Sequence, residues 1–323
     1  MSRFDNRSRV STYLSGWMPS GDETRQPVAG YFAAGDGPSG ALNRYDRLAF
    51  STETKTTISA THGAVRERSC GYANSGVAGY TVGGADGGFL SSIEKLTFPN
   101  EINSTLAASL TTGRIYWNAG CANSGVAGYS MGGYDSGGNI SAIDKITFSA
   151  DSKTTLSATL TSARRGNMAF ADSGTAGYSA GGYTASAQSN IDKIAFPADT
   201  KTTLVATIGV GGLWLGTGFA DIGVAGYFVG GDDVPVGYTV VINKLTFSAD
   251  TTSTLAATLS TPSDRHGGFA NTGVAGYVGG GQDGVKLTRI DKLAFPAETK
   301  TTLAAVLTNG TEAIAGFADC AVL

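Results

Sequence analysis

Few residues in this 323-residue chain have the types and the spacing that catalysis or metal binding requires. The only two histidines, His62 and His266, lie far apart in the sequence, whereas a zinc site built from Cys and His needs clustered ligands. The three cysteines, Cys70, Cys121 and Cys320, share no spacing, so we interpret them as small buried hydrophobic residues. We therefore predict no metal, no cofactor and no enzymatic activity.

Acidic residues recur at regular places, which favours a structural role over a catalytic one. An acid, or once an asparagine, directly precedes Lys or Arg at six places: Asp46-Arg47, Glu94-Lys95, Asp144-Lys145, Asp192-Lys193, Asn243-Lys244 and Asp291-Lys292. A site used once does not need six copies, so we interpret these pairs as a polar ladder whose paired charges tolerate burial. Four further acids recur in loops that could bind Ca²⁺ or form Asx turns: Asp86, Asp135, Asp233 and Asp283.

The composition is typical of a β-rich globular protein. Gly accounts for 47 of the 323 residues, only 15% are charged, and 41% are hydrophobic, which is enough for a large core. The net charge of −3 at pH 7 argues against nucleic-acid binding. The sequence has no long apolar run and no signal peptide after Met1, so we expect synthesis in the cytoplasm and no membrane insertion.

The sequence contains an internal repeat, which must position the recurring acidic residues. The string Gly-Val-Ala-Gly-Tyr occurs four times, and variants of it begin at Pro27 and Gly174. Successive copies are 49 or 50 residues apart, a spacing that indicates one supersecondary unit repeated along the chain. The full copies begin at Gly76, Gly125, Gly223 and Gly273.

Each unit contains four short strands, which we label A to D. In one unit, strand A covers residues 167–171, strand B 176–182, strand C 191–196 and strand D 203–207. Turn sequences separate A from B and C from D, and no helical period is convincing. Four strands in about 50 residues, repeated six times, predict an all-β fold: a six-bladed β-propeller of four-stranded blades.

Two features of the unit carry a family resemblance. Strand B ends in a Gly pair, as in Gly181-Gly182, and strand C ends in an aromatic residue, as in Phe196. The unit therefore resembles a Kelch repeat, although Leu204 stands where that family has Trp in strand D. The regular motif Ile-Asp-Lys-Leu-Thr-Phe, with variants, is similar to that of Kelch-like structural proteins of tailed phages, especially cyanophages.

The ends of the chain predict how the ring closes. Residues 1–26 form an N-terminal arm and residues 27–323 form the propeller, whose first unit lacks strand A because the preceding segment is too polar. Residues 316–320 align with strand A of the preceding unit. We therefore expect the C-terminal strand to join the first blade and remove its open edge.

The loops between strand D and the next strand A vary most between units. They hold two of the three tryptophans and six arginines, residue types that dominate binding hot spots. Loops on a rigid scaffold commonly carry function, so we predict a binding surface here. Its candidate residues are Arg114, Tyr116, Trp117, Arg164, Arg165, Leu213, Trp214, Asp264, Arg265 and His266.

These features predict a non-catalytic binding or structural module. The resemblance implies a phage virion, in its tail or tail fibre. The loops would attach to a host glycan or protein receptor, and the arm, residues 1–26, to another virion protein. Two alternatives stay open: an intracellular bacterial Kelch scaffold, and a glycan-active enzyme that uses loop carboxylates. Those carboxylates would be Glu67, Asp264 and Glu312.

Overall fold

The computed structural model describes residues 28–98, 100–113, 119–209 and 211–320. These residues form six blades of four antiparallel strands, which confirms the predicted six-bladed β-propeller. Within these ranges no helix could cross a membrane. Strands A to D are Ala315–Asp319, Ala29–Ala33, Gly40–Ala49 and Thr54–Arg66 in blade 1; Cys70–Asn74, Ala78–Val82, Ser92–Thr97 and Ile102–Ser109 in blade 2; Ala119–Asn123, Ala127–Met131, Ala142–Thr147 and Ser152–Thr159 in blade 3; Met168–Asp172, Ala176–Ala180, Asn190–Ala195 and Thr200–Thr207 in blade 4; Thr217–Asp221, Ala225–Val229, Ile242–Thr246 and Thr251–Thr254 in blade 5; and Asp264–Asn271, Ala275–Gln282, Ile290–Ala294 and Thr299–Thr302 in blade 6.

Short hairpins extend three of the B–C loops. Asp36–Gly37 pairs with the start of strand C in blade 1. Tyr134–Asp135 pairs with Gly138–Asn139 in blade 3, and Asp232–Asp233 with Gly237–Tyr238 in blade 5. These hairpins project from the same end of the ring as the D–A loops, because strands B and D both run towards that end.

The ring closes as the sequence predicted. The C-terminal strand pairs antiparallel with strand B of blade 1, so that Tyr31 lies opposite Phe317. Each strand A also contacts the strands A of both neighbouring blades, so the inner strands surround one axis. Blade 1 thereby gains its fourth strand, and both ends of the propeller are held in one sheet.

Packing between blades explains the glycine of the repeated Val-Ala-Gly-Tyr string. A Cβ on Gly79 in blade 2 would lie 2.0 Å from the ring of Phe317 in blade 1. An aromatic ring covers the equivalent glycine in four other blades: Gly30, Gly128, Gly226 and Gly276. In the remaining blade, Gly177 faces the smaller Cys121. A side chain larger than hydrogen would push the blades apart, so the repeat retains glycine here.

A second contact between blades recurs on the face that carries the A–B and C–D turns, which we call the turn face. Lys95 and Tyr80 of blade 2 both donate hydrogen bonds to Asp151 in the C–D turn of blade 3, at 2.6 and 3.2 Å. Every blade has this arrangement of a cation, a tyrosine and an acid. The acids have φ between +47° and +53°: Glu53, Glu101, Asp151, Asp199, Asp250 and Glu298. Structure therefore accounts for the near-invariance of these turns.

The polar ladder of strand C is present, but its two charges do not pair with each other. In blade 4 the buried carboxylate of Asp192 accepts hydrogen bonds from Thr161 and Thr203 and pairs with Arg164 at 3.0 Å. Burial raises the pKa of Asp192, but these hydrogen bonds and the Arg164 charge hold it below its usual value. The neighbouring Lys193 points to the other side of the strand, because successive side chains alternate.

Candidate binding face

The B–C and D–A loops form the opposite face, which we call the loop face. One residue from each of five D–A loops joins a belt of main-chain hydrogen bonds around the axis. The N–H of Arg68 donates to Ala313, Ala313 to Arg265, Arg265 to Leu215, and Leu215 to Gly166. All five residues have φ between +55° and +66°. Because main-chain atoms make the belt, the side chains at these positions can differ between blades.

An aromatic cluster lies on the loop face between blades 3 and 5. The Arg165 guanidinium is 5.2 Å from the ring centroids of Tyr134 and Tyr183, and 6.0 Å from that of Trp214. The Tyr183 and Trp214 rings are 4.9 Å apart, and Arg165 Nη1 donates to Asn139 Oδ1 at 3.1 Å. All five side chains are partly exposed. Aromatic rings and guanidinium groups of this kind anchor binding partners.

An ionic cluster lies on the opposite half of the loop face, around blades 6, 1 and 2. Three cations pair there with four carboxylates at 2.8 to 3.5 Å: Arg265 with Asp264 and Glu312, Lys286 with Asp36, and Arg68 with Glu67. The cluster includes the three loop carboxylates that the sequence singled out. The loop face therefore has an aromatic half and an ionic half.

Asp264 is the most unusual group of the ionic cluster. Its side chain is 1% exposed, and its Oδ1 has no hydrogen-bond partner among the described residues. Burial raises the pKa of Asp264 to about 7, although Arg265 opposes the shift. A carboxyl group with such a pKa can exchange a proton near neutral pH, but its burial keeps it from contact with a molecule on the surface.

Four predicted contact residues lie inside the ring instead of on its surface: Arg164, Leu213, Asp264 and His266. Arg164 has no exposed side-chain surface and neutralises Asp192. In the next blade both partners are uncharged, because Leu213 and Asn243 occupy the equivalent places. The arginine and the acid are thus replaced together, which indicates that the arginine compensates the charge of the buried acid. We therefore assign Arg164 and Leu213 to the scaffold, whereas Asp264 and His266 are buried and their contact role stays a prediction.

The other predicted contact residues divide into two groups. Arg165, Trp214 and Arg265 are partly exposed on the loop face. Arg114, Tyr116 and Trp117 lie outside the described residues, as does the N-terminal arm, and their roles stay predictions.

The sequence reasoning missed the part of the aromatic cluster that comes from the B–C loops. Tyr134 and Tyr183 each directly follow the Gly pair that ends strand B. Other units have Ala85 or Asp232 at this place. A comparison of the six units at this single position would have revealed two aromatic residues in consecutive blades.

Three of the four recurring acids in the B–C loops form Asx turns. Asp86, Asp135 and Asp283 each accept a hydrogen bond from the main-chain N–H two residues later. In the part of the chain that the structure describes, no group of three or more His, Cys, Asp or Glu side chains could hold a metal ion.

Two cavities lie on the axis. The turn-face cavity has a volume of about 150 Å³, and the A–B turns and strand A aromatic residues line it. The loop-face cavity has a volume of about 70 Å³, and Ser69, Asn167 and His266 are among its lining residues. The two share a narrow waist of small residues: Gly71, Gly120, Ala169, Gly218, Gly268 and Gly316.

Comparison with known proteins gives no family assignment: no protein-family model matches the chain, and no curated protein is similar to it. The structure therefore carries the assignment to the class of six-bladed β-propellers. Propellers support many unrelated functions, so the function has to be argued from the loop face.

Proposed function

We propose that this protein is a non-catalytic binding module that contacts its partner through the loop face. The observation that carries the proposal is the aromatic cluster, which occurs once among the described residues, whereas the turn-face contacts recur in every blade. Main-chain atoms hold the D–A loops together, so the ring does not require Tyr134, Tyr183 or Trp214 at these places. Residues that stability does not require are available for recognition.

The aromatic cluster has the chemistry of a preorganised anchor. The Arg165 guanidinium is held between two tyrosine rings and by Asn139, so little side-chain entropy is lost when a partner binds. Its rings suit stacking on a sugar, and its guanidinium suits a carboxylate or a carbonyl. The partner that we propose is a host-surface glycan or protein.

The setting that we propose is the virion of a tailed phage, in its tail or tail fibre. This proposal depends on the resemblance of the repeat to Kelch-like phage proteins. The N-terminal arm, residues 1–26, would attach to a neighbouring virion protein. Tail or baseplate genes on both sides of the coding sequence would support this setting, whereas metabolic or regulatory neighbours would favour the bacterial Kelch scaffold.

An adsorption assay tests the binding role. Fluorescently labelled protein is mixed with a panel of cyanobacterial and other bacterial cells and with immobilised glycans. We expect Trp214→Ala to bind at least about tenfold more weakly than wild type, and Asp86→Ala, on another part of the same face, to bind normally. Equal binding by all three proteins would contradict the proposal. If the wild type cleaved a glycan and Glu67→Ala did not, the proposed function would have to be catalysis instead of binding.

A further inference from the structure

The turn-face cavity is lined in layers, and every blade contributes one residue to each layer. The outermost layer, which we call the mouth, consists of Ser75, Ser124, Ser173, Ile222, Thr272 and Cys320. The next layer, which we call the wall, consists of six alanines: Ala73, Ala122, Ala171, Ala220, Ala270 and Ala318. Below the wall the cavity ends at the narrow waist of small residues.

The methyl groups of the wall face the axis. In blade 1 the ring of Phe317 points between the blades, where it covers Gly79. Successive side chains of a strand alternate, so Ala318 points to the other side, which is the axis. Five of the six wall alanines are partly exposed although they belong to the innermost strands. Their exposed surface gives the cavity an apolar wall.

Hydrogen bonds between successive A–B turns fix the mouth. The N–H of Ser75 donates to Ser124 Oγ at 3.0 Å, and the N–H of Ser124 donates to Ser173 Oγ at 2.9 Å. The turns are thus held in place without a ligand. A preformed cavity loses little entropy when it is filled.

The size and the wall of the cavity indicate which group fits it. A volume of about 150 Å³ is enough for a group of the size of a benzene ring. Methyl groups give water no hydrogen bonds, so an apolar group that displaces water from the wall is stabilised there. The cavity therefore suits a single apolar group.

Exposed valines of the A–B turns extend this apolar surface. Four of them lie two residues after a mouth residue and are 46 to 52% exposed: Val77, Val126, Val224 and Val274. The fold does not require valine there, because Thr175 occupies the equivalent place in blade 4. Such a repeated exposed residue is available to contact the segment that enters the cavity.

We propose that one apolar side chain of the N-terminal arm, residues 1–26, occupies the turn-face cavity. The arm lies outside the described residues, and the chain that follows it enters the propeller at Val28. The N–H of Val28 donates to the carbonyl of Asp319 at 3.0 Å, and Asp319 lies between Ala318 of the wall and Cys320 of the mouth. Since paired strands are about 5 Å apart, the arm joins the propeller at the edge of the mouth.

The arm has the side chains and the length that this contact needs. Its large apolar residues near the propeller are Tyr13, Leu14, Trp17 and Met18. Met18 precedes Val28 by ten residues, which span up to about 33 Å, so each of the four can reach the axis. The tether also gives them a high effective concentration at the mouth. The basic start of the arm, residues 3–9, would stay available to the neighbouring virion protein.

The test is benzene binding to the full-length protein with ¹³C-labelled alanine methyl groups, observed by NMR. In wild type the arm should compete with benzene for the cavity. A full-length variant with Tyr13→Ser, Leu14→Ser, Trp17→Ser and Met18→Ser should therefore bind benzene at least about tenfold more tightly. In wild type we also expect nuclear Overhauser effects between the wall methyl groups and a side chain of residues 13–18.

A pair of alanine substitutions locates the binding. Ala171→Leu, added to the four-serine variant, fills the cavity from its wall and should abolish benzene binding. Ala107→Leu is the matched control, because the same change is made at an exposed position of strand D in blade 2, and it should leave the affinity unchanged.

Equal benzene affinity of wild type and the four-serine variant would show that the arm does not occupy the cavity. Absence of a saturable methyl shift in both proteins would show that the cavity accepts no apolar group. If Ala171→Leu does not fold, the wild-type Overhauser effects decide, and contacts of the wall with residues 321–323 instead of the arm would contradict the proposal. The loop face takes no part in this contact, so adsorption by Trp214→Ala tests the proposed function separately.

Discussion

The turn face and the loop face belong to the same strands, but the contacts that recur around the ring are made by different atoms on each face. On the turn face, side chains join the blades, as Lys95 and Tyr80 do with Asp151. On the loop face, the belt that joins the blades consists of main-chain atoms. A contact made by side chains fixes the residue types in every copy, whereas a main-chain contact leaves them variable. The comparison explains why one face is nearly invariant and the other carries residues used once.

In the A–B turns, too, a side chain joins neighbouring blades, and this contact is missing at one place among the described residues. The N–H of Gly125 donates to the side chain of Asn74 in the preceding blade at 2.9 Å, and four other turns have this contact. At the seam of the ring the equivalent acceptor is Asn271, whose Oδ1 has no partner among the described residues. In the sequence, Pro27 stands at the place of the donating glycine, and proline has no main-chain N–H.

The largest effect should follow from opening the ring, on which both faces depend. Deletion of residues 314–323 removes strand A of blade 1 and the Phe317 ring that covers Gly79. We expect an insoluble or open protein, because strand B of blade 1 becomes an unpaired edge. Solubility and thermal melting measure this, and an unchanged melting temperature would show that the closure is dispensable.

A turn-face substitution should reduce stability but not binding. Asp151→Ala loses the contacts with Lys95 and Tyr80 and places alanine at a φ of +47°. We expect the free energy of unfolding in urea to fall by about 2 kcal/mol. Asp86→Ala, which loses only an exposed Asx turn, should change it by less than about 0.5 kcal/mol. Equal effects of the two variants would disprove the structural role of the turn-face contact.

The ionic cluster should make stability depend on pH through Asp264. Its pKa of about 7 in the folded protein exceeds the ordinary value of 3.8, so the wild type loses stability as pH rises from about 4 through 7. Asp264→Asn does not titrate. We expect it to be roughly 1–3 kcal/mol more stable than wild type at pH 8, and close to wild type at pH 4. Parallel pH profiles from urea unfolding would contradict the raised pKa.

The smallest effect should be a gain in stability. Tyr72 lies in a strand A position where most blades have Phe, and its buried hydroxyl has no partner among the described residues. Tyr72→Phe should raise the free energy of unfolding by about 1 kcal/mol, because it removes a buried polar group without removing the ring. A loss of stability would reveal a hydrogen bond to this hydroxyl.

The repeat made the blades, the ring and its closure predictable, because its spacing and turn residues are local signals. The partners of the repeated charges were not predictable in this way. Lys95 of blade 2 pairs with Asp151 of blade 3, and no local sequence pattern links residues so far apart. The hot-spot argument uses residue type alone, so it could not predict that Arg164 and Leu213 are buried, because burial depends on the packing of the neighbouring blade.

The most direct test of the division between the faces measures adsorption and unfolding on the same two variants. Trp214→Ala should adsorb at least about tenfold more weakly per folded molecule and keep most of its stability, because the ring of Trp214 is partly exposed. Asp151→Ala should show the reverse, with reduced stability and normal adsorption per folded molecule. If Trp214→Ala unfolds the protein while its folded fraction adsorbs normally, the aromatic cluster is part of the scaffold and the loop face is not the binding surface.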